Sequence, residues 1–366
     1  MSEVVILTSA VGLGVYIPAL LIRQQLRSFG VSVTVEVLED FYTAKQQNSH
    51  LAHAQAHHAN FALAQLAHRM ARDVQDSLND ERIQVLLERW ATQQCRHFIV
   101  WSGFWLPILE RYRDLTGWAL AIDHCRIDAD ISASFKIYPH LRQLGREIWL
   151  WHGESNSLVY EIGVGQQQAL SFEQRQPRLM AHGGGWGIGT YQECAKELAS
   201  VGFALDLVVH KIDEAPFLQQ NDRAYQLQPN WQAWQRDGEG ELQFPPMALL
   251  ENGVSVTCKQ QGDYHVLYDV IRNNQAIISK PGGCTLIDSL ASATPVILLE
   301  PYGYAEARNG AVWQQLGFGI RYADWRASGY APEILATLHN NLVNRTQRGL
   351  DYSRTYAELY CGMLPS

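Results

Sequence analysis

The segment Ile277-Ile-Ser-Lys-Pro-Gly-Gly-Cys-Thr-Leu-Ile-Asp-Ser-Leu-Ala-Ser-Ala-Thr-Pro-Val-Ile-Leu-Leu-Glu300 constrains the fold more than any other part of the chain. It runs from an apolar strand through a two-glycine turn into a helix start, and then into a second apolar strand. Such a unit is a βαβ crossover. Gly282 and Gly283 let the backbone approach an anion with no Cβ in the way, and the free N–H groups opening the helix point at the same place. Asp288 follows about one and a half helical turns later, within reach of a sugar hydroxyl of a nucleotide held there. A plain strand-to-helix turn has the same pattern, because a glycine pair before a helix is common.

The strand, glycine turn and helix recur. Val4 to Thr8 is a β-rich run, followed by the turn Ser9-Ala-Val-Gly12-Leu-Gly14 and an amphipathic helix from about Tyr16 to Phe29, with Pro18 tolerated in the first turn. Val31 to Leu38 is the next strand. Gly12-Leu-Gly14 lacks the third glycine of the dinucleotide fingerprint. Residues 43–94, rich in Ala, Gln, His and Leu, predict one or two long helices; Phe98 to Trp101, Trp118 to Ile122, Ile148 to Trp151 and Leu158 to Ile162 predict strands. After the polar run Gln166 to Arg178, which has the composition of a linker, the pattern restarts. The strand at Leu179 ends in His182-Gly-Gly-Gly-Trp-Gly-Ile-Gly189, with a helix over Tyr191 to Val201 and a strand over Phe203 to His210 behind it.

An α/β protein of two Rossmann-like domains facing across a cleft is therefore expected, with residues 1–170 in one and 178–345 in the other. Ligands in open α/β sheets bind at the C-terminal ends of the strands. Two amide-rich turns on one such edge fit a diphosphate better than a neutral ligand.

Composition agrees. A length of 366 residues suits two domains. The net charge of −8, from 29 basic and 37 acidic residues, argues against nucleic acid as the main partner, because a polyanion is held by clustered Lys and Arg. Six cysteines at 95, 125, 194, 258, 284 and 361 show no C-x-x-C pair, so neither a disulfide framework nor a zinc site is suggested. The N-terminus lacks a basic leader, and no apolar run reaches membrane-spanning length. The expectation is a soluble, cytoplasmic protein.

On these residues the second half resembles the donor-binding domain of the GT-B glycosyltransferases. It is most similar to the enzymes that make monogalactosyldiacylglycerol, to the transferase that adds N-acetylglucosamine to peptidoglycan precursors, and to other UDP-glycosyltransferases. Ser279-Lys-Pro-Gly-Gly-Cys-Thr-Leu-Ile-Asp288 is similar to their K-P-G-G-x-T-x-x-E element, and the glycine run at 183–189 to the loop that approaches the diphosphate. The resemblance covers about residues 179–321, and in the first half only the opening strand, turn and helix. It implies a donor diphosphate held by Gly183, Gly184, Gly185, Gly282, Gly283 and Thr285, a ribose held by Asp288, and a donor sugar held by Glu306 and Asn309. It also implies that the loop Cys258 to Tyr264 receives the nucleobase, with uracil favoured, and that residues 346–366 form a helix crossing back to the first domain.

The chain departs from the family in three places. Where the family commonly has G-H-x-x-P, this sequence reads Gly14-Val15-Tyr16-Ile17-Pro18, so the cleft imidazole is missing. Ala305 precedes Glu306 where relatives carry an acid before glutamine. Glu300 and Glu306 are separated by five residues, against seven in a retaining subgroup, which favours inversion.

An inverting transfer needs a base for the acceptor proton and donors for the departing diphosphate. Asp123 and His124 follow a predicted strand and are the candidate bases. Asp128-Ala-Asp130 resembles the D-x-D metal motif of the other large transferase fold. His53 and His57 have the spacing of a zinc pair, without the companion acid of a zincin. Trp101-Ser-Gly-Phe-Trp105 suits a flat or sugar-like acceptor. The expected activity is transfer of a sugar from a nucleotide diphosphate sugar, taken as co-substrate with no metal and no cofactor, to a small soluble acceptor. The alternatives are a nucleotide-sugar 2-epimerase or hydrolase, and a non-catalytic nucleotide-sugar-binding partner of another transferase.

Overall fold

The computed structural model describes residues 3–69, 72–251 and 254–362. Two parallel sheets organise it. In the first, β1 (Val4–Thr8), β2 (Val33–Val37), β3 (His97–Val100), β4 (Ala121–Arg126) and β5 (Arg146–Trp149) lie in the order β2-β1-β3-β4-β5, all neighbours parallel. Both faces are covered, so β1 is apolar along Val4 to Leu7 rather than alternating. Helix α1 (Tyr16–Ser28) buries Tyr16, Ala19, Leu20, Ile22 and Leu26 on one side. On the other side, α4 (Asp80–Thr92) and α5 (Leu106–Thr116) supply Ile83, Leu87, Trp90, Leu109 and Tyr112.

The run from 43 to 94 forms three helices, α2 (Ala44–Ala59), α3 (Phe61–Arg69) and α4, rather than one or two. Side-chain caps set the breaks: Thr43 accepts the Gln46 N–H, Asn60 that of Leu63 and Asn79 that of Arg82. Each satisfies a donor that the first helical turn leaves free.

The second sheet comprises β6 (Gln176–Ala181), β7 (Ala204–Val209), β8 (Arg223–Leu227), β9 (Met247–Glu251), β10 (Val254–Thr257), β11 (Asn274–Ser279), β12 (Val296–Leu298) and β13 (Gly319–Arg321). Their order is β10-β9-β8-β7-β6-β11-β12-β13, with β9 and β10 antiparallel at one edge. The parallel strands run β8-β7-β6-β11-β12-β13, the doubly wound Rossmann order. The strand order reverses between β6 and β11, and the two glycine turns leave the sheet there.

Strand β6 starts inside the polar run read as a linker. Arg178 belongs in it because it pairs with Asp206 of β7, which is fully buried and also takes Arg223 and, through Oδ2, the Asn274 amide at 2.7 Å. A buried carboxylate deprived of such partners costs about 3–5 kcal/mol.

Strand β4 also lies further along than expected. Gly117 ends α5 in the left-handed conformation, and the strand begins only at Ala121, so Asp123 and His124 fall inside it. Helix α10 (Tyr352–Cys361), after α6 (Tyr191–Ser200), α7 (Leu267–Asn273), α8 (Gly283–Ser292) and α9 (Tyr304–Gln315), packs on α1 of the first sheet, with Ser353 Oγ 2.6 Å from Gln25 Oε1. Among the described residues no helix is long and apolar enough to cross a membrane.

Candidate active site

The points where strand order reverses in the two sheets face each other. The turn after β6 meets the turn after β1, where the Gly185 N–H donates to the Gly12 carbonyl at 3.2 Å. A Cβ on Gly185 would stand 2.4 Å from Leu13 Cγ, and one on Gly283 2.4 Å from Ile127 Cγ1. These two glycines are thus required by the close approach of the domains, a reason the sequence reading did not find. Gly183 is packed within its own turn against Tyr191 and does not line the cavity.

Gly282 faces the cavity itself. A Cβ there would meet Lys280 Nζ and Glu306 Oε1, both at 3.3 Å. It is the N-cap of α8, so the free amides of Gly283, Cys284 and Thr285 and the positive end of the helix dipole point into the same space. Lys280 Nζ lies 2.6 Å from Glu306 Oε1, and Glu306 Oε2 accepts the Tyr302 N–H at 2.7 Å. Gly184 and Thr285 complete this wall.

Further along, Asp288 Oδ1 is 2.9 Å from His265 Nε2, both side chains being buried. Beyond them the wall turns apolar at Val208, Leu227, Met247, Val266 and Leu267. The segment lining this end is thus His265 to Leu267; the expected loop, Cys258 to Tyr264, contributes nothing to the lining.

His182 also lines the cavity and is buried. Its Nδ1 accepts the Gly184 N–H at 3.2 Å, which leaves the proton on Nε2, and Nε2 has no partner among the described residues. Burial, with Lys280 and His265 nearby, lowers its pKa to about 3, so the ring is a neutral donor.

The two candidate bases of the sequence reading lie away from the described cavities. Asp123 is held by Arg146 through Oδ1 at 2.6 Å and Oδ2 at 3.0 Å, and accepts the Tyr352 hydroxyl at 2.9 Å. It anchors the C-terminal helix. His124 is fully buried beside Phe135, and burial lowers its pKa to about 4. Neither lines the cleft; a strand set three residues later turns both into the sheet.

The residue that does reach the cleft is Asp128, two residues past the end of β4. It borders the donor cavity and a second cavity of about 240 Å³ lined by Ser9, Trp101, Ser102, Phe104 and Ser134. Asp128 keeps a strip of contact with the cleft while surrounding protein atoms desolvate its carboxyl. That desolvation raises its pKa to about 6, against the lowering effect of the Asn309 hydrogen bond. Asp130, the second acid of the D-x-D stretch, pairs with Lys136 at 3.1 Å.

Asn309 is not free for a sugar. Its Nδ2 donates to Asp128 Oδ1 at 2.7 Å and to the Pro281 carbonyl at 2.9 Å, while its Oδ1 accepts the Ala129 N–H at 2.7 Å and Trp151 Nε1 at 3.0 Å. All four hydrogen-bonding positions of the amide are filled. Asn309 joins the domains and orients Asp128. Glu306, by contrast, stays on the cavity wall.

A second junction involves His58 of α2. Its Nδ1 is 2.9 Å from the Gly187 carbonyl oxygen and its Nε2 2.7 Å from Glu214 Oε1. Both partners are acceptors, so both nitrogens must donate and the ring is an imidazolium. The Glu214 hydrogen bond raises the His58 pKa against the effect of burial. Burial raises that of Glu214, but its hydrogen bonds from His58 and the His210 N–H outweigh this and bring it to about 2. A raised histidine pKa stabilises fully below the unfolded value of 6.5, and that stability is lost as pH rises through the folded value. Over about pH 6 to 9 the wild-type Tm is therefore expected to fall by about 2 °C more than that of His58→Gln, measured by calorimetry. Parallel profiles would refute the charged junction.

His53 and His57 stack with ring centroids 6.3 Å apart. Among the described residues no three His, Cys, Asp or Glu side chains converge so as to hold a metal ion.

No family model and no curated protein matches the chain. Solved structures do match over nearly its whole length. Arabidopsis thaliana UGT89C1 complexed with quercetin is 10% identical, with 99% of each chain covered and a TM-score of 0.58. Acinetobacter baumannii MurG is 9% identical, with 99% of this chain and 100% of that one covered and a TM-score of 0.53. The Streptomyces sp. SF2575 glycosyltransferase SsfS6, complexed with thymidine diphosphate, is 13% identical over 98% and 100%, with a TM-score of 0.52. The likeness defines the fold. The chain has the GT-B architecture of glycosyltransferases, two Rossmann-like domains facing across a cleft.

Proposed function

We propose that the protein is a glycosyltransferase that moves a sugar from a nucleotide diphosphate sugar to a small hydroxylated acceptor, with inversion. The observation that carries this reading is the convergence, at the reversal point of a Rossmann sheet, of the α8 N-terminus, Gly282, Thr285 and Lys280 on one cavity. Such a site suits a diphosphate, and neighbouring groups suit the rest of a donor. The paired Asp288 and His265 face the ribose, the apolar wall takes the base, and Glu306 takes a sugar hydroxyl.

In this reading the acceptor occupies the cavity beside Trp101 and Ser102. At about 240 Å³ it lies below the roughly 300–1,000 Å³ of drug-sized ligand sites, which favours a small acceptor. Asp128 takes the acceptor's hydroxyl proton as the oxygen attacks the anomeric carbon. The bond from that carbon to the diphosphate oxygen breaks on the opposite face, and its electron pair leaves with the nucleoside diphosphate. The α8 amides, Lys280 and the His182 Nε2–H receive that charge. No cofactor or metal enters the scheme, and the reaction is assigned to the cytoplasm.

The donor cavity measures about 220 Å³ with the turns at Gly12 and Gly185 in contact. A nucleotide sugar needs more room, so donor binding parts these turns. The test is thermal shift with UDP, dTDP, GDP, UMP and NAD. A ligand at about a hundred times its Kd stabilises by about 2.7 kcal/mol. Stabilisation by a nucleoside diphosphate, with little from UMP or NAD, is expected; no shift with any of them would remove the donor site.

A further inference from the structure

A cavity of about 730 Å³ opens between the domains on the far side of the Leu13 and Gly185 contact from the sugar end of the cleft. Helix α2 forms one wall, and the segment after β8, residues 228–235, forms the other. The diphosphate wall and Asp128 do not border it, so it belongs to neither the donor nor the acceptor cavity.

Its lining is unusual in what it leaves unused. Trp186, Trp231 and Trp234 are half-buried there, and their indole N–H groups make no hydrogen bond among the described residues. The side-chain amides of Gln228 and Gln232, also half-buried, likewise have no partner in the protein. His50 sits between two of the indoles, with ring centroids 5.1 Å from Trp186 and 5.6 Å from Trp234, which fixes their planes. Among the described residues no carboxylate lines the cavity. The imidazolium of His58 is neutralised by Glu214, which leaves Lys211, among the described residues, as the uncompensated charge in the lining.

We propose that this cavity is a binding site for a neutral oligosaccharide. Indole faces pack against the apolar faces of pyranose rings, and the free N–H and amide groups match ring hydroxyls, which both donate and accept. A charged glycan would find no array of opposite charge, and a purely apolar ligand would leave five half-buried polar groups without partners. The cavity shares Leu13, Gly185, His210 and Leu227 with the donor cavity, but none of the proposed ribose or catalytic side chains, nor Gly282, Thr285 or Lys280, so the proposal does not depend on the transferase reading.

Titrating the full-length protein with maltohexaose, cellohexaose and chitohexaose by calorimetry, with polygalacturonate as an acidic control, tests it. At least one neutral oligomer is expected to bind, both with and without saturating UDP, and polygalacturonate is expected not to. Trp234→Ala should weaken that binding about tenfold or more. Gln232→Ala removes an amide with no protein partner, so it reports on the site even if the tryptophan variant folds poorly, and should weaken binding severalfold. Absence of binding by all three neutral oligomers up to about 10 mM, or binding that Gln232→Ala and Trp234→Ala both leave unchanged, would overturn the assignment.

Discussion

Asp128→Asn is expected to lower kcat by about 10²- to 10⁴-fold, the usual contribution of a general base. The asparagine oxygen can still accept the Asn309 amide, which lies 2.7 Å from Asp128 Oδ1, so the domain junction survives. Nucleotide affinity should be unchanged, because the donor's groups are untouched. The pH dependence has a definite sign. A base acts unprotonated, so wild-type kcat/KM should rise with pH through about 6, the value to which desolvation lifts Asp128. The residual rate of the variant should lack that rise. A variant that keeps full activity, or keeps the same acid limb, would pass the role of base to another group.

Gly282→Val is expected to abolish nucleoside diphosphate binding in a folded protein. The backbone at Gly282, φ −70° and ψ 143°, suits valine, and the nearest atoms are the ends of two flexible side chains. The added methyl groups fill the space over the α8 amides. Hydrogen bonds to charged groups contribute about 1.5–3 kcal/mol each, and every 1.4 kcal/mol or so is a factor of ten. Loss of two gives affinity weaker by at least about a hundredfold, measurable by calorimetry. Gly283→Val is a poor substitute, because its side chain would drive into Ile127 and separate the domains. Retained binding by a folded Gly282→Val protein would place the diphosphate elsewhere.

The glycine turns were legible because close backbone approach leaves a direct mark in sequence. The strands beside them were legible because burial on both faces makes them continuously apolar. Strand β4 was not, since it carries Asp123, His124 and, at its end, Arg126, buried polar groups that local pattern assigns to a loop. The partners of Asp123 and Arg126, namely Arg146, Tyr352 and Glu147, are distant in sequence. That shift is why the sequence reading chose Asp123 rather than Asp128, the proposed base. Asn309 was misread for the same reason: it sits at the position the resemblance implies, but three of its four hydrogen bonds go to residues 128, 129 and 151 of the other domain. His182 carries no sequence signal beyond its place before the glycine run, and His265, 23 residues before Asp288, carries none; their hydrogen bonds define them.

The most direct test of sugar transfer is proton NMR of a UDP-hexose incubated with the protein and a panel of small hydroxylated acceptors, following the anomeric signal. The account predicts acceptor-dependent loss of the donor signal and growth of a glycoside signal of opposite anomeric configuration, absent with Asp128→Asn. A donor that binds and stays intact with every acceptor, or is consumed equally without one, would contradict it.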